Sequence, residues 1–393
     1  MRPSGVLTRA AVATAALAAL GLVAGCGDAV GRSPDPADTR AAWERLPDPP
    51  LAPRSVPVVA WTGSEVLVVG GDTGTPCPPT ADCAMPAHHA RDGASLTVAT
   101  RTWRAIAPAP VEVPSYASNA MVEGRLYLLA GTTLVAYDVA HDAWSFVSTP
   151  DGLHGGALVA DGDRLVVCSN SDEHGLEPDR VYDPADGQWS VLPDDPIGPA
   201  FDRVLTAIPT GLVLTAHELV DNPGADGPSL VLAARFDRAT GSWTRLPDSD
   251  QLGGWARSWT GRRLVDPTLG GGDGGEVGNY GRTIPNGGAL DPATGRWSTL
   301  RHVPKEGDGG WAVSALGGRY AAVGGWTYDD ESESWARVPP PGGAPDEPGP
   351  AVWAGDRLVV VGGTDSREDG TRATRSPHAW LSQPGSTLGR PTL

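Results

Sequence analysis

Short apolar runs separated by turn residues recur along the chain, and residues 154–193 contain one complete copy of the repeating unit. Its four apolar runs are GALVA, RLVVC, RVYD and QWSVL, separated by the turn DGD, a polar loop and the turn PADG. Four strands in about 40 residues predict a small antiparallel meander. The second run is continuously apolar rather than alternating, which predicts a strand covered on both faces.

A single sheet cannot cover both of its own faces, so copies of the unit are expected to stack on one another. Propellers meet this requirement because each four-stranded sheet packs against its neighbours around an axis. The pattern therefore predicts an all-β chain built as a β-propeller.

Two features recur seven times each. A tryptophan followed by a polar or basic residue and then an apolar one is expected on the fourth strand, where an indole can wedge between sheets. This series comprises Trp43, Trp103, Trp144, Trp189, Trp243, Trp297 and Trp335. Apolar second strands, several of which end in paired glycines that allow close backbone approach, occupy 66–71, 125–131, 164–169, 211–216, 262–271, 319–325 and 357–363. The matching series predict seven blades.

A strand ending in Gly-Gly, then a Tyr-Asp-like pair and a tryptophan, resembles the kelch repeat of galactose oxidase-like proteins. The resemblance covers roughly residues 41–385 and implies a seven-bladed kelch-type β-propeller. Ala130-Gly131, Cys168-Ser169 and Thr215-Ala216 replace the glycine pair in three copies. Six blades is therefore the alternative to seven.

The order of the runs predicts how the blades join. Trp43 belongs to a fourth strand with no first three before it, whereas the chain ends with a first, second and third strand, AVWAG, RLVVVGG and HAWLS. The amino-terminal strand is expected to complete the last blade and so reduce free sheet edges. Residues 386–393 are expected to form a carboxy-terminal tail.

The first 25 residues have the pattern of a signal peptide. Arg2 and Arg9 precede an apolar stretch at 10–23, which is shorter than a comfortable membrane span. Cys26 directly follows small residues and resembles the lipidated cysteine of a bacterial lipobox. This resemblance implies a palmitate-type anchor at Cys26 on the extracytoplasmic side of the cell membrane; the alternative is an ordinary secreted protein. Residues 26–40 would then be the lipidated cysteine and a flexible tether.

Composition and charge limit the classes of function that the chain could have. The 52 glycines and 38 prolines fit the turns of an all-β protein. The net charge is −17, and removal of the signal segment leaves 28 basic against 47 acidic residues, or −19. This balance argues against nucleic-acid binding. Membrane contact through the lipid alone and a monomeric state are expected.

Connections in an antiparallel meander alternate between the two ends of the strands. The turns between first and second and between third and fourth strands are short here. The other end, which we name the long-loop face, carries five long stretches at 72–93, 170–179, 217–229, 272–287 and 364–376. Long loops on a rigid scaffold commonly bind ligands. The tether would enter from the opposite face, so the long-loop face is expected to point away from the membrane.

The first long stretch brings five sulfur- or imidazole-bearing residues together: Cys77, Cys83, Met85, His88 and His89. In an oxidising compartment, Cys77 and Cys83 are expected to form a disulfide. A copper site is the alternative, because thiolate, thioether and imidazole suit that metal. We assign no metal and no cofactor. Cys168 lies in an apolar strand and is expected to be an inert core thiol.

Residues at the starts of the first strands are expected to point toward the mouth of the central channel. The candidate ligand-binding residues are Arg54, Tyr116, His154, Arg203, Trp255, Arg257 and Trp311. Arginines and aromatics would suit an anionic or sugar-like ligand. The alternative is that they serve charge balance and packing.

No catalytic pattern emerges from the sequence. Nucleophile-elbow, metalloprotease and phosphate-loop motifs do not occur, and no Cys and Tyr match the modified copper site of galactose oxidase. We therefore expect a binding module for a protein or glycan, without catalysis. The alternative is an extracytoplasmic carbohydrate-active enzyme, mutarotase-like or galactose oxidase-like, with its site at the channel mouth.

Overall fold

The computed structural model describes residues 42–78, 80, 87–153, 155–169, 177–220, 227–253, 257–272, 280–305, 307, 309–366, 370 and 372–384. The chain divides into two compact units, Met1–Pro34 and Asp35–Leu393. All described residues belong to the second unit.

The described part of the second unit is built of β-strands. Its strands in chain order are Trp43–Arg45 (β1), Val58–Trp61 (β2), Glu65–Val69 (β3), Gly93–Thr97 (β4), Thr102–Ile106 (β5), Ser118–Val122 (β6), Arg125–Ala130 (β7), Thr133–Asp138 (β8), Ala143–Val147 (β9), Ala157–Asp161 (β10), Arg164–Cys168 (β11), Arg180–Asp183 (β12), Gln188–Val191 (β13), Ala200–Ile208 (β14), Gly211–Glu218 (β15), Val231–Asp237 (β16) and Ser242–Arg245 (β17). The remaining strands are Ser258–Trp259 (β18), Leu264–Asp266 (β19), Gly271–Gly272 (β20), Ile284–Pro285 (β21), Gly288–Asp291 (β22), Arg296–Ser298 (β23), Ala315–Gly317 (β24), Tyr320–Val323 (β25), Trp326–Asp329 (β26), Ser334–Arg337 (β27), Glu347–Pro348 (β28), Ala351–Ala354 (β29), Arg357–Val361 (β30), Gly363–Ser366 (β31), Ala373–Arg375 (β32) and Ala379–Ser382 (β33).

Within the described residues these strands form seven antiparallel sheets of four strands each. We number the sheets in chain order of their first strands: β2–β5, β6–β9, β10–β13, β14–β17, then β18, β19, β22 and β23, then β24–β27, and finally β29, β30, β33 and β1. In sheet 7, β1 pairs with β33, with Trp43 opposite Ser382 and Arg45 opposite Trp380. The first strand of the chain therefore belongs to the same sheet as three of the last five strands.

Two smaller sheets lie within connections that the sequence pattern left as loops. β20 and β21 form a two-stranded sheet within the connection between β19 and β22 of sheet 5, and β28, β31 and β32 form a three-stranded sheet beside sheet 7. Their strands are two to four residues long. A segment this short has too few positions to show a strand period, which is why the sequence did not predict them.

The second strands are covered on both faces, as their apolar runs predicted. Val66 and Val68 of β3 pack into a core shared with sheet 7, whereas Leu67 and Val69 pack into a core shared with sheet 2. All four side chains are buried. Alternate side chains of the strand therefore pack into two different cores, one on each side of the sheet.

In the described part of the chain, seven apolar clusters fill the spaces between sheets. Each contains residues of two sheets, and the pairs of sheets follow the order 1–2, 2–3, 3–4, 4–5, 5–6, 6–7 and 7–1. The first strands also contact one another in this order, and β29 of sheet 7 contacts β2 of sheet 1. Among the described residues, the contacts between neighbouring sheets therefore run from sheet 1 through sheet 7 and back to sheet 1.

The tryptophan series ties each sheet to the one before it. Every indole Nε1–H donates to the carbonyl oxygen of the residue four positions after the preceding tryptophan in the series. The donor and acceptor pairs are Trp103 and Pro47, Trp144 and Ala107, Trp189 and Ser148, Trp243 and Pro193, Trp297 and Pro247, Trp335 and Arg301, and Trp43 and Pro339. The seven donor–acceptor distances are 2.7–3.0 Å. The last pair links β1 back to sheet 6, so the cycle has seven members.

Candidate functional site

The connections on the long-loop face differ in length from sheet to sheet. Residues 70–92 join β3 to β4 in sheet 1, and residues 267–287 join β19 to β22 in sheet 5. In sheets 2 and 6 the equivalent connections are the two-residue turns 131–132 and 324–325. A short turn leaves room above the neighbouring first strands.

A cavity of about 450 Å³ lies beside the short turn of sheet 2. Its lining includes Tyr116 and Ser118 at the start of β6, Gly131 after β7, and Gly155 and Gly156 before β10. The volume falls within the roughly 300–1,000 Å³ usual for small-molecule sites. No charged side chain is among its described lining residues.

Backbone contacts fix the floor of the cavity. The Leu158 N–H donates to Ser118 Oγ at 2.7 Å and so links the first strands of sheets 2 and 3. Gly156 has φ +139°, and a Cβ there would lie 2.5 Å from the carbonyl oxygen of Cys168. Only glycine fits at this position, because any side chain would displace the backbone of β11.

Tyr116 projects from the cavity wall on a strained backbone. The residue is 82% exposed and its φ is +58°. Val56, two residues before β2, and Asp202, at the register shift within β14, also have positive φ, +44° and +50°. A left-handed conformation costs about 1–2 kcal/mol for a residue with a Cβ, and such strain concentrates at functional sites. Burial does not explain it at Tyr116, because the ring lies in solvent.

Arg54 is buried rather than directed at solvent. Its guanidinium donates to both carboxylate oxygens of Asp92, at 2.7 and 3.0 Å, and to the carbonyl oxygen of Gly70 at 3.1 Å. The hydrogen bond from Arg54 lowers the pKa of Asp92 below its usual value. The pair therefore fixes the segment before β2 to the long connection of sheet 1.

Arg203 is 4% exposed and lies between two carboxylates. Nη2 donates to Asp179 at 3.0 Å, Nη1 to Asp195 at 2.8 Å, and Nε to the carbonyl oxygen of Ser169 at 3.2 Å. Burial raises the pKa of Asp179 despite the nearby guanidinium. This cluster joins β14 of sheet 4 to the connections on either side of β12 and β13 in sheet 3.

Arg257 is buried beside two residues of sheet 5. Its guanidinium is 3.5 Å from the Asp266 carboxylate and 5.3 Å from the centroid of the Trp297 ring. Burial lowers the pKa of Arg257. Its Nη2 has no hydrogen-bond partner among the described residues. The guanidinium of Arg257 therefore lies against side chains of sheet 5 rather than in solvent.

Trp311 is also part of the core. It packs edge-to-face on Trp43 and Trp380, with ring centroids 5.7 and 5.4 Å apart, and its Nε1–H donates to the carbonyl oxygen of Pro345 at 2.8 Å. Trp311 therefore packs between sheets 6 and 7, which agrees with the alternative that the candidate residues serve packing. His154 and Trp255 lie outside the described residues, although Gly155 and Gly156 beside His154 line the cavity.

The cysteine-rich loop is tied to the three-stranded sheet formed by β28, β31 and β32. Arg375 donates to Ser55 Oγ, to the Gly74 carbonyl oxygen and to the Asp72 carboxylate, which lies at 3.0 Å. Cys77 is disulfide-bonded. Cys83 lies outside the described residues, so its pairing with Cys77 stays a prediction. Among the described residues, no cluster of three or more His, Cys, Asp or Glu side chains could hold a metal ion.

The structure thus separates the candidate residues. Tyr116 lines a solvent-open cavity, whereas Arg54, Arg203, Arg257 and Trp311 lie in the protein interior. Sequence reasoning missed the acids that bind the arginines, because Arg203 and Asp179 are 24 positions apart and no motif joins them. It also missed Ser118, which resembles any other strand residue.

A scan against models of known protein families found no match, and a search of curated proteins found no relative. Over the described part of the chain, no helix has both the length and the apolar character required to span a bilayer.

Proposed function

We propose that the chain is a seven-bladed kelch-type β-propeller, closed by β1, that binds an uncharged glycan on its long-loop face. The cyclic order of sheet cores and indole hydrogen bonds supports the propeller and its seven blades. The cavity at Tyr116 is the observation that supports the binding site.

The ligand class follows from the lining. An aromatic ring in solvent can stack on the apolar face of a sugar ring, while the hydroxyls of Ser115 and Ser118 and nearby backbone groups can bond its hydroxyls. Arg54 and Arg203 already bind carboxylates of the protein, so an anionic ligand would have to compete with them. Tyr116 is the one titratable side chain in the described lining, which favours binding over catalysis.

The cellular setting in this proposal comes from the sequence. A signal peptide at residues 1–25 and a lipid on Cys26 would hold the propeller on the extracytoplasmic side of the membrane, with residues 27–40 as tether. Mass spectrometry of the chain made in a bacterial host tests this. A lipid-modified Cys26 at the mature terminus is expected, and an unmodified cysteine would contradict the anchor.

Binding is tested with the full chain in mild detergent on an array of neutral and acidic glycans. Tyr116→Ala should weaken binding to a neutral glycan at least tenfold, which corresponds to about 1.4 kcal/mol. Leu219→Ala is the matched control, because Leu219 is 51% exposed in the connection after β15, away from the cavity. Unchanged binding by Tyr116→Ala, or binding of acidic glycans alone, would contradict the proposed site.

A further inference from the structure

The fourth strands of the seven sheets are exposed edges, and most of them carry charge. β1, β5, β17, β23 and β27 each contain at least one charged residue, whereas β9 (AWSFV) and β13 (QWSV) contain none. Charged side chains on an edge strand hinder the addition of a further strand. β9 and β13 lack this protection, and they belong to neighbouring sheets.

The same two strands expose apolar side chains. At the position two residues after the tryptophan, the seven sheets carry Ala105, Phe146, Val191, Arg245, Thr299, Arg337 and Arg45. Phe146 is 64% exposed and Val191 is 53% exposed. Arginine occupies this position in three other sheets, so the scaffold does not require an apolar residue there. The exposure of Phe146 and Val191 is therefore unexplained by folding.

Backbone groups at this edge are also open to a partner. β9 and β13 are the terminal strands of sheets 2 and 3, and no described strand pairs with their outer sides. An edge of this kind can accept an extended peptide through main-chain hydrogen bonds, with side-chain contacts supplying the specificity.

The acidic charge of the chain is concentrated in these two sheets. Residues 107–199 contain 15 Asp and Glu and three Arg, a net charge of −12 out of −17 for the whole chain. Exposed acids flank both strands, with Asp142 before β9, Asp186 before β13 and Asp194 after β13. The Tyr137 hydroxyl donates to Asp142 at 2.6 Å and lowers the pKa of that carboxyl, which keeps it charged.

We propose that the outer edge of sheets 2 and 3 binds a basic, extended segment of a partner protein. The segment adds to β9 as a further strand, an apolar side chain of the segment packs on Phe146, and its lysines or arginines meet the flanking acids. This surface lies on the rim of the sheets, apart from the cavity at Tyr116, so the two sites are independent.

The proposal is tested with the full chain in mild detergent and a synthetic peptide of alternating lysine and valine. Titration calorimetry should show saturable binding. A lysine–proline peptide of equal charge is the electrostatic control, because proline lacks the N–H that strand pairing needs. It should bind at least tenfold more weakly. Equal affinity of the two peptides would overturn strand addition.

Variants locate the surface. Phe146→Arg, which copies the residue of sheets 4, 6 and 7, should weaken binding at least tenfold, and Phe146→Ser should weaken it without adding charge. Arg245→Phe is the matched control at the same position of sheet 4 and should leave affinity unchanged. Wild-type affinity in both Phe146 variants would refute the proposal. A dimer of the wild-type chain that Phe146→Arg converts to a monomer would also refute it, because a second copy would then be the occupant.

Discussion

Replacement of Arg203 by methionine separates a structural role for this residue from a ligand-binding one. The Arg203 side chain is 4% exposed, and its guanidinium contacts Asp179 at 3.0 Å and Asp195 at 2.8 Å. Methionine fills much of the same space but leaves two carboxylates without their cation. Removal of one member of a buried ion pair costs about 3–5 kcal/mol. We therefore expect Arg203→Met to lower the free energy of unfolding by an amount in that range.

The loss should depend on pH in a defined direction. Burial raises the pKa of Asp179 in the folded protein, so the folded state binds the proton more tightly than the unfolded state. The contribution of Asp179 to the free energy of unfolding is therefore present at low pH and is lost as the pH rises through the raised pKa of its carboxyl. Without the guanidinium the pKa of Asp179 rises further. The deficit of Arg203→Met should therefore be smaller near about pH 5 than near about pH 8.

Urea unfolding of wild type, Arg203→Met and Arg245→Met at the two pH values provides the measurement. Arg245 makes an exposed ion pair with Asp248, and such pairs contribute only about 0–1 kcal/mol, so its variant should unfold nearly as wild type does. An Arg203→Met variant with wild-type stability, or with a deficit that does not change with pH, would refute the structural role.

Three further predictions follow from the same contacts. Trp43→Phe and Trp297→Phe each remove one indole hydrogen bond of the cycle; each should lower the free energy of unfolding by about 1–2 kcal/mol in urea, and an unchanged free energy in Trp43→Phe would show that its bond to Pro339 does not stabilise the contact of β1 with sheet 6. Tyr116→Gly and Glu123→Gly both relieve a positive φ and should each stabilise the fold by about 0.5–1 kcal/mol in thermal unfolding, but Tyr116→Gly alone should reduce glycan binding; a destabilised Tyr116→Gly would show that its ring makes native contacts. Cys168 is buried and burial raises the pKa of its thiol, so iodoacetamide should modify it only after unfolding; rapid labelling of the native chain at Cys168 would contradict its place in the core.

The sheets could be predicted from sequence because their determinants are local. An apolar run such as that of β11 and a tryptophan just past a turn each occupy fewer than ten residues, and both recur in every repeat. The spacing Trp-x-x-x-Pro, seen at Trp43, Trp189, Trp243 and Trp335, already contained the acceptor carbonyls of the indole cycle. Only the packing of neighbouring sheets shows that these carbonyl oxygens accept hydrogen bonds from the indoles.

The candidate site was less accessible to sequence reasoning. A position at the start of a first strand does not say whether the side chain turns toward solvent, as Tyr116 does, or into an ion pair, as Arg203 does. That choice depends on acids supplied by other connections, such as Asp179 and Asp195. The cavity lies beside the two-residue connection between β7 and β8. The length of this connection could be predicted from the sequence, but the space above it depends on the neighbouring sheets.

A crystal structure of the full chain tests the central claim, a seven-membered cycle of sheets completed by the amino-terminal strand. We predict seven four-stranded sheets, β1 paired with β33, and the Trp43 indole N–H bonded to the carbonyl oxygen of Pro339. Six sheets, two separate sandwiches, or a β1 segment without a strand partner would contradict it.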